Sequence, residues 1–467
     1  MSVSKCIRPL GSIETFVDGC TVSRNLNMAI AVTVKTKTKI TLDVLEQALI
    51  NLQAGHLQLQ ACLERREEIP EKSWSLNPFK WFASPKPVTK PEFWSLPDAM
   101  TKIPIKVVIS KNFDWMSVLE DCLQLNFQEG NLLWRAYWVE SNNDNDNRGA
   151  LVLNFHPFLS DSKGLFLLAN DALGHLDEIL TGKSHRTVTP KMHSNVEETV
   201  DIGNGLSFVE KVLMFKHMIM FSIPWKSPYM SRHAAPVVPD YTTRHIQIDV
   251  PIEFSKKILK CVENKSVSLH AAWTAAASIA MHEMLTLKTA TKFRSTHEVD
   301  LRVLTKNYNA TDCRIYGAYC NYVEDTVETD RVNSAEEFWN FAATCHKGLF
   351  DKLRSDELVK MMKYCAEFGD MYPMVATLGS VRCVRNDFAI AVHDNIDLFV
   401  DDREAIQIEN LCSSVASQNM GSPFHHTVHV FREQIYYYIH VYSNYTTIDK
   451  TKEFAYKTLE VLKKHCV

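Results

Sequence analysis

A histidine, two serines and an aspartate share one short stretch of this chain, His156-Pro-Phe-Leu-Ser-Asp-Ser162. An imidazole is the side chain best suited to take a proton near neutral pH, and a carboxylate beside it can orient it or hold a cation. Hydroxyls such as those of Ser160 and Ser162 can donate to an oxyanion as it forms. The set suits proton abstraction from a hydroxyl or an amine followed by attack on a carbonyl. A lone histidine in a turn is more often a polar residue with a satisfied hydrogen bond, so the elements that carry it decide its weight.

Those elements are a strand and a helix. The apolar run 151–155 reads as a largely buried strand, and from 165 to 176 the apolar residues recur at helical spacing. Upstream, 27–34 has strand character, Thr41 caps a helix with the apolar face Leu42, Leu45, Ala48, Leu49 and Leu52, and 56–63 alternates as a strand. Residues 65–104 are rich in proline and tryptophan and read as a loop-rich excursion. Strand, helix and strand follow at 105–108, 115–127 and 132–139, with a polar hairpin tip at 141–148.

A change of composition separates two halves. Residues 1–180 form an N-terminal subdomain, 181–241 a crossover linker rich in Ser, Thr, His and Pro, and 242–467 a C-terminal subdomain. Within the crossover, 208–223 is an apolar helix broken by Glu210, Lys211 and Lys216, which reads as packed between the halves, with contact to a lipid surface or a role as a substrate lid as the alternatives. The second half repeats the texture of the first. Strands are expected at 245–250, 297–303, 316–323, 388–392 and 424–442, and helices at 251–262, 267–281 and 334–353.

Composition excludes several classes. The chain has 467 residues, 46% hydrophobic and 23% charged, enough to bury two sizeable cores. Its 51 Lys and Arg against 55 Asp and Glu give a net charge of −4, so there is no basic field for nucleic acid. The 12 cysteines are scattered without a C-x-x-C pair or zinc spacing, which points to reduced thiols and no metal site. No signal peptide or membrane-spanning run is legible, and a cytoplasmic monomer is the expectation.

The landmarks in order resemble the chloramphenicol acetyltransferase-like acyltransferases: condensation domains of peptide synthetases, polyketide-associated acyltransferases and alcohol O-acetyltransferases. The resemblance covers nearly the whole chain. It rests on Arg8-Pro-Leu-Gly11 with Glu14, Leu132-Leu-Trp-Arg135, His156 to Ser162 in the place of the H-H-x-x-x-D-G motif, Val267-Ser-Leu269, Val299-Asp-Leu-Arg302 and Gly317-Ala-Tyr-Cys-Asn321. It implies an α/β fold of two similar subdomains, a pseudodimer with a channel between them. A thioester donor would enter from one face and a nucleophilic acceptor from the other.

In this family the second histidine of the motif deprotonates the acceptor and the aspartate holds an arginine. Here Pro157 stands at the second histidine, His156 at the first and Ser162 at the glycine. His156 is therefore the candidate base provided a bulge re-aims it, and Asp161 with Arg302 the expected ion pair. Ser160, Ser162 and Asn321 are candidate oxyanion or channel residues. The implied activity is acyl transfer from a CoA thioester, with acyl-CoA as co-substrate and no bound cofactor, to a small alcohol or amine. A catalytically inactive relative that binds an acyl-CoA, a lipid or a protein partner through the channel is the alternative. His393-Asp-Asn-Ile-Asp397 and His425-His426 are set aside as bases, because the first comes too late in the chain and the second lacks a partner aspartate.

Overall fold

The strand that leads to His156 lies at the centre of a five-stranded sheet. The computed structural model describes residues 5–23, 26–68, 88–96, 103–142, 147–183, 192, 194–200, 205–223, 225–233, 242–305, 315–368, 383–394, 396–398, 400, 403–416 and 420–466. In this first sheet the strand order is Ile406–Val415, Met28–Thr36, Arg148–Phe155, Trp134–Ser141 and Ile105–Ser110. All neighbours are antiparallel except the last pair. Both faces of the sheet are covered at Arg148–Phe155, which explains why its run is apolar on every residue from Ala150 to Val152 rather than alternating.

One face of this sheet packs Ile30, Val32, Leu151, Leu153 and Phe155 against the helices Leu42–Gly55 and Ser162–Leu180. The other carries Ala29, Ala31, Ala150 and Val152 under the helix Trp115–Leu123, and there Tyr438 of the second half joins the cluster.

The second sheet has six strands in the order Cys320–Thr329, Thr291–Asp300, Phe388–His393, Phe424–Phe431, Gln434–Tyr442 and Thr243–Ile248. Helices Leu269–Met284, Ala335–Arg354 and Ile448–His465 cover the face that bears Phe293, Phe388, Ile390, Phe424, Val428 and Ile439. The alanine-rich Leu269–Met284 is buried along almost its whole length, and its small side chains let the helix sit close to its neighbours. Ser268 caps it by accepting from the Ala271 amide.

The two halves are α/β subdomains of like build, each a sheet with helices on its outer side. Their inner faces meet along a seam, where Tyr438 donates to Asn410 at 2.8 Å and Arg244 pairs with Glu120 at 2.7 Å.

Several expectations are revised by the structure. Strand Ile406–Val415 was not anticipated, and it crosses from the second half to pair with Met28–Thr36 of the first. Residues 57–60 are a short 3-10 turn rather than strand, and the strand after it is Ala61–Glu68. In the proline-rich excursion Val88–Ser95 is a strand paired with Ala61–Glu68 and Cys6–Pro9, while 69–87 and 97–102 lie outside the described residues. Residues 301–304 turn as a 3-10 helix, so the strand before them ends at Asp300.

Parts of the crossover, 184–191, 201–204 and 234–241, also lie outside the described residues. Its apolar helix, Phe208–Ser222, is not clamped between the halves. It buries Met214 beside Leu206 and Tyr364 and leaves Phe208, Val209 and Val212 exposed. Among the described residues no helix is long and apolar enough to cross a membrane.

Candidate active site

Asp161 is the N-cap of helix Ser162–Leu180 and accepts from the Gly164 amide at 2.7 Å. Its two oxygens also take Arg302 in a fork, Nη1 at 2.8 Å and Nη2 at 2.9 Å, and the Tyr319 amide at 2.8 Å. Arg302 is wholly buried and spends its remaining donors on Asp300 at 3.0 Å, the Ile315 carbonyl at 2.8 Å and the Gly317 carbonyl at 3.4 Å. Burial alone would lower the guanidinium pKa, but Asp161 and Asp300 more than reverse that and hold it above its ordinary value. Gly317, at φ 126°, has a backbone that a side chain would strain, and it turns its carbonyl toward Arg302. This clasp joins the start of a helix in one half to the end of a strand in the other.

His156 lies elsewhere. Strand Arg148–Phe155 keeps an unbroken register with both neighbours, so no bulge re-aims the histidine. The strand ends at Phe155, and the chain turns with the Leu159 amide on the His156 carbonyl at 3.0 Å. Pro157, with its fixed φ, occupies the second position of that turn. The imidazole packs on Phe158, ring centres 3.9 Å apart, and against Phe127. It borders a cleft of about 380 Å³ formed with Thr21, Arg65, Asn126, Phe127 and Glu129, all from the first half. Burial first, then the charge of Arg65, pushes its pKa down to about 3, so the ring is neutral at pH 7. Its Nδ1 is buried without a partner.

The remaining expected residues divide. Ser160 is buried and its hydroxyl donates to the Asp161 carbonyl at 3.2 Å, which withdraws it from any ligand. Ser162 is buried in the first turn of its helix. Asn321 is one residue from Tyr322 on the same strand, so its side chain lies on the opposite face from Tyr322 and Glu298. It accepts from the Tyr322 amide at 2.7 Å.

A second group gathers on the inner face of the six-stranded sheet. Alternation places Cys320 and Tyr322, then Thr296, Glu298 and Asp300, then His393, then His425, Thr427 and His429, then His440 and His245 on that one face. His425, His440 and His245 lie side by side across three strands, with ring centres 4.9 and 4.7 Å apart. They bond to Tyr442, Thr427 and Ser414 respectively. Phe166, from the helix that begins at Ser162, sets its edge on His429 and His393. Burial lowers the pKa of His393 and His425 to about 4, so both are neutral at pH 7.

Near the clasp this face stays open to solvent. Glu298, Asp300, Thr296 and His393 are half-buried, and Tyr322 is 46% exposed, although protein crowds each of them closely enough to shift Glu298 and Tyr322 far from their usual pKa. Burial raises the Glu298 carboxyl to about 7, with Asp161 and Asp300 adding to the rise and Ser162 opposing it.

Comparisons with known proteins bear on the fold. No family model matches the sequence, and no curated protein matches it either. Among solved structures, the trichothecene 15-O-acetyltransferase from Fusarium sporotrichioides superposes with a TM-score of 0.74 over 99% of this chain and 96% of its own, at 13% identity. The fold is that of the chloramphenicol acetyltransferase-like acyltransferases. Polyketide synthase associated protein 5 from Mycobacterium tuberculosis follows the same path with a TM-score of 0.62, 13% identity and 98% of each chain covered. The first condensation domain of the CDA synthetase gives 0.62 at 10% identity, over 98% of this chain and 96% of its own. At such identities the likeness is one of fold, and the chemistry has to be argued from the residues.

Sequence reasoning passed over Glu298, His429, His440 and His245, and set His393 and His425 aside. The period of two along 291–300 and 424–431 carries the signal, because it separates Thr296, Glu298 and Asp300 from Phe293, Ser295 and His297, and His425 and His429 from Phe424, His426 and Val428.

Proposed function

We propose that this chain is an acyltransferase that moves an acyl group from a CoA thioester to the hydroxyl, or the amine, of a small acceptor bound in the channel between its halves. The observation that carries this reading is the partly exposed group of Glu298, Tyr322, His393 and Asp300 on the inner face of the six-stranded sheet, next to the Asp161 and Arg302 clasp. Such a group offers a proton acceptor and a hydroxyl donor, as acyl transfer to an alcohol requires. The shared fold of an acetyltransferase and of condensation domains supports the same class. This reading looks for the proton acceptor in the channel rather than at His156, whose cleft is formed within the first half.

Pro157 favours a second reading, a relative that binds an acyl-CoA, a lipid or a protein without turnover. Thiol release from acetyl-CoA and a longer acyl-CoA, measured with a panel of alcohols and amines, separates the two. Release that needs an acceptor, and persists in His156→Ala, supports acyl transfer in the channel. Saturable acyl-CoA binding with no release under any acceptor would leave the binding protein.

A further inference from the structure

We propose that the cleft beside His156 is a binding site for a small uncharged alcohol, whose hydroxyl bonds to the imidazole and whose apolar body lies on Leu63, Phe127 and Leu133. The site belongs to the first half alone and does not depend on the acyl transfer reading.

Strand ends of the first half build its floor. Leu63 and Arg65 stand on Ala61–Glu68, Leu133 immediately precedes Trp134–Ser141, and His156 immediately follows Arg148–Phe155. The cleft of about 380 Å³ has the size of a small-molecule site. Leu63, Leu133 and His156 are each more than nine-tenths buried, whereas Asn126, Gln128 and Glu129 are exposed. An apolar floor with one imidazole under a polar mouth suits a guest that is greasy at one end and polar at the other.

His156 is the side chain there that lacks a partner. Its Nδ1 is enclosed without one, and among the described residues no hydrogen bond engages either ring nitrogen. Phe158, at 3.9 Å between ring centres, and Phe127, at 6.0 Å, hold the ring in place. Burial and the charge of Arg65 keep it neutral at pH 7. A neutral imidazole has one N–H and one acceptor nitrogen, and a hydroxyl both donates and accepts, so an alcohol satisfies whichever nitrogen the cleft presents.

The charges select an uncharged guest. Arg65 is the one cation that lines the cleft among the described residues. Its Nη2 is held by both oxygens of the buried Asp18, at 2.8 and 3.0 Å, and its Nη1 pairs with Glu129. A guanidinium already answered by two carboxylates has nothing left for an anion, and it repels an ammonium that approaches Glu129.

The test titrates the full chain by calorimetry with phenylpropanol and with its charged twins, phenylpropionate and phenylpropylamine. Peptide mass spectrometry follows the carbethoxylation of His156 by diethyl pyrocarbonate in parallel. Phenylpropanol should bind at one site, at least about tenfold tighter than either twin, because a charge buried there goes unpaired. It should also protect His156 from the reagent. His156→Phe keeps a ring of similar size and removes its nitrogens, so affinity should fall about three- to tenfold, the usual worth of one hydrogen bond. Gln128→Trp, at an exposed position, should narrow the mouth and weaken binding, and it decides if His156→Phe does not fold. Phenylpropanol that binds without protecting His156, and equally well to the folded variants, would overturn the proposal. So would the absence of saturable binding, a His156 that the reagent never modifies, or charged twins that bind as tightly as the alcohol.

Discussion

Asp161 and Arg302, 141 residues apart, meet through two parallel hydrogen bonds of 2.8 and 2.9 Å, and neither side chain has contact with solvent. The pair ties the first turn of Ser162–Leu180 to the turn after Thr291–Asp300, and so fastens one half to the other.

Removing one member strands the other charge in the interior. Arg302→Met and Asp161→Asn should each lower unfolding free energy by about 3–5 kcal/mol, the usual effect of breaking a buried pair. The double variant should lose less than the sum of the two singles, since each single already removes the shared interaction. Urea denaturation of the four proteins measures this, and strict additivity would mean that the pair is not coupled.

Gly164 borders the same clasp. A methyl group there would overlap the Ser160 hydroxyl and come within 3.2 Å of Asp161 Oδ1 and 3.5 Å of Arg302 Nη2. Gly164→Ala should therefore cost about 1–3 kcal/mol, the range for overpacking, in spite of alanine's better helix propensity. A more stable variant in a thermal melt would show that the turn has room to adjust.

The buried histidines predict acid sensitivity. Burial lowers His297 and His426 to about 3 and His393 and His425 to about 4, below the 6.5 that each has when unfolded. Above pH 6.5 both states are neutral and these groups add no pH dependence. As pH falls below 6.5 the unfolded chain takes up protons that the fold refuses, so stability drops by up to about 1.4 kcal/mol per pH unit for each histidine until the folded value is reached. Urea midpoints at pH 7.5 and 5.5 should differ accordingly. His426→Gln, which keeps a polar group near the Tyr437 hydroxyl at 2.8 Å, should make the slope shallower. An unchanged slope would show that His426 titrates normally.

Much of the fold was legible because its strongest signals are local. Periodicity found the strand before His156, the helix after it, and the alanine-rich Leu269–Met284 within a few residues. Strand Ile406–Val415 escaped notice for two reasons. Its alternation breaks at the irregularity between Ile408 and Asn410, and a strand's own residues do not say which sheet it will join. The site was less legible than the fold. The motif drew attention to His156, yet the turn begun by Pro157 leaves that ring against Phe158, while Glu298 sits in an unremarkable run between His297 and Val299.

By itself the sequence determined which residues form strands and helices, that two such halves follow one another, and, by its resemblance to the acyltransferases, that Asp161 and Arg302 belong together. Those properties come from side-chain spacing along a short stretch of backbone, where hydrophobic period and capping act. Only the tertiary structure decided that strand Ile406–Val415 joins the sheet of the first half, that Asn321 turns away from Tyr322, and that the His156 ring packs on Phe158. Strand pairing across a sheet and side-chain packing join residues far apart in the chain, and local spacing does not record which partner each will meet.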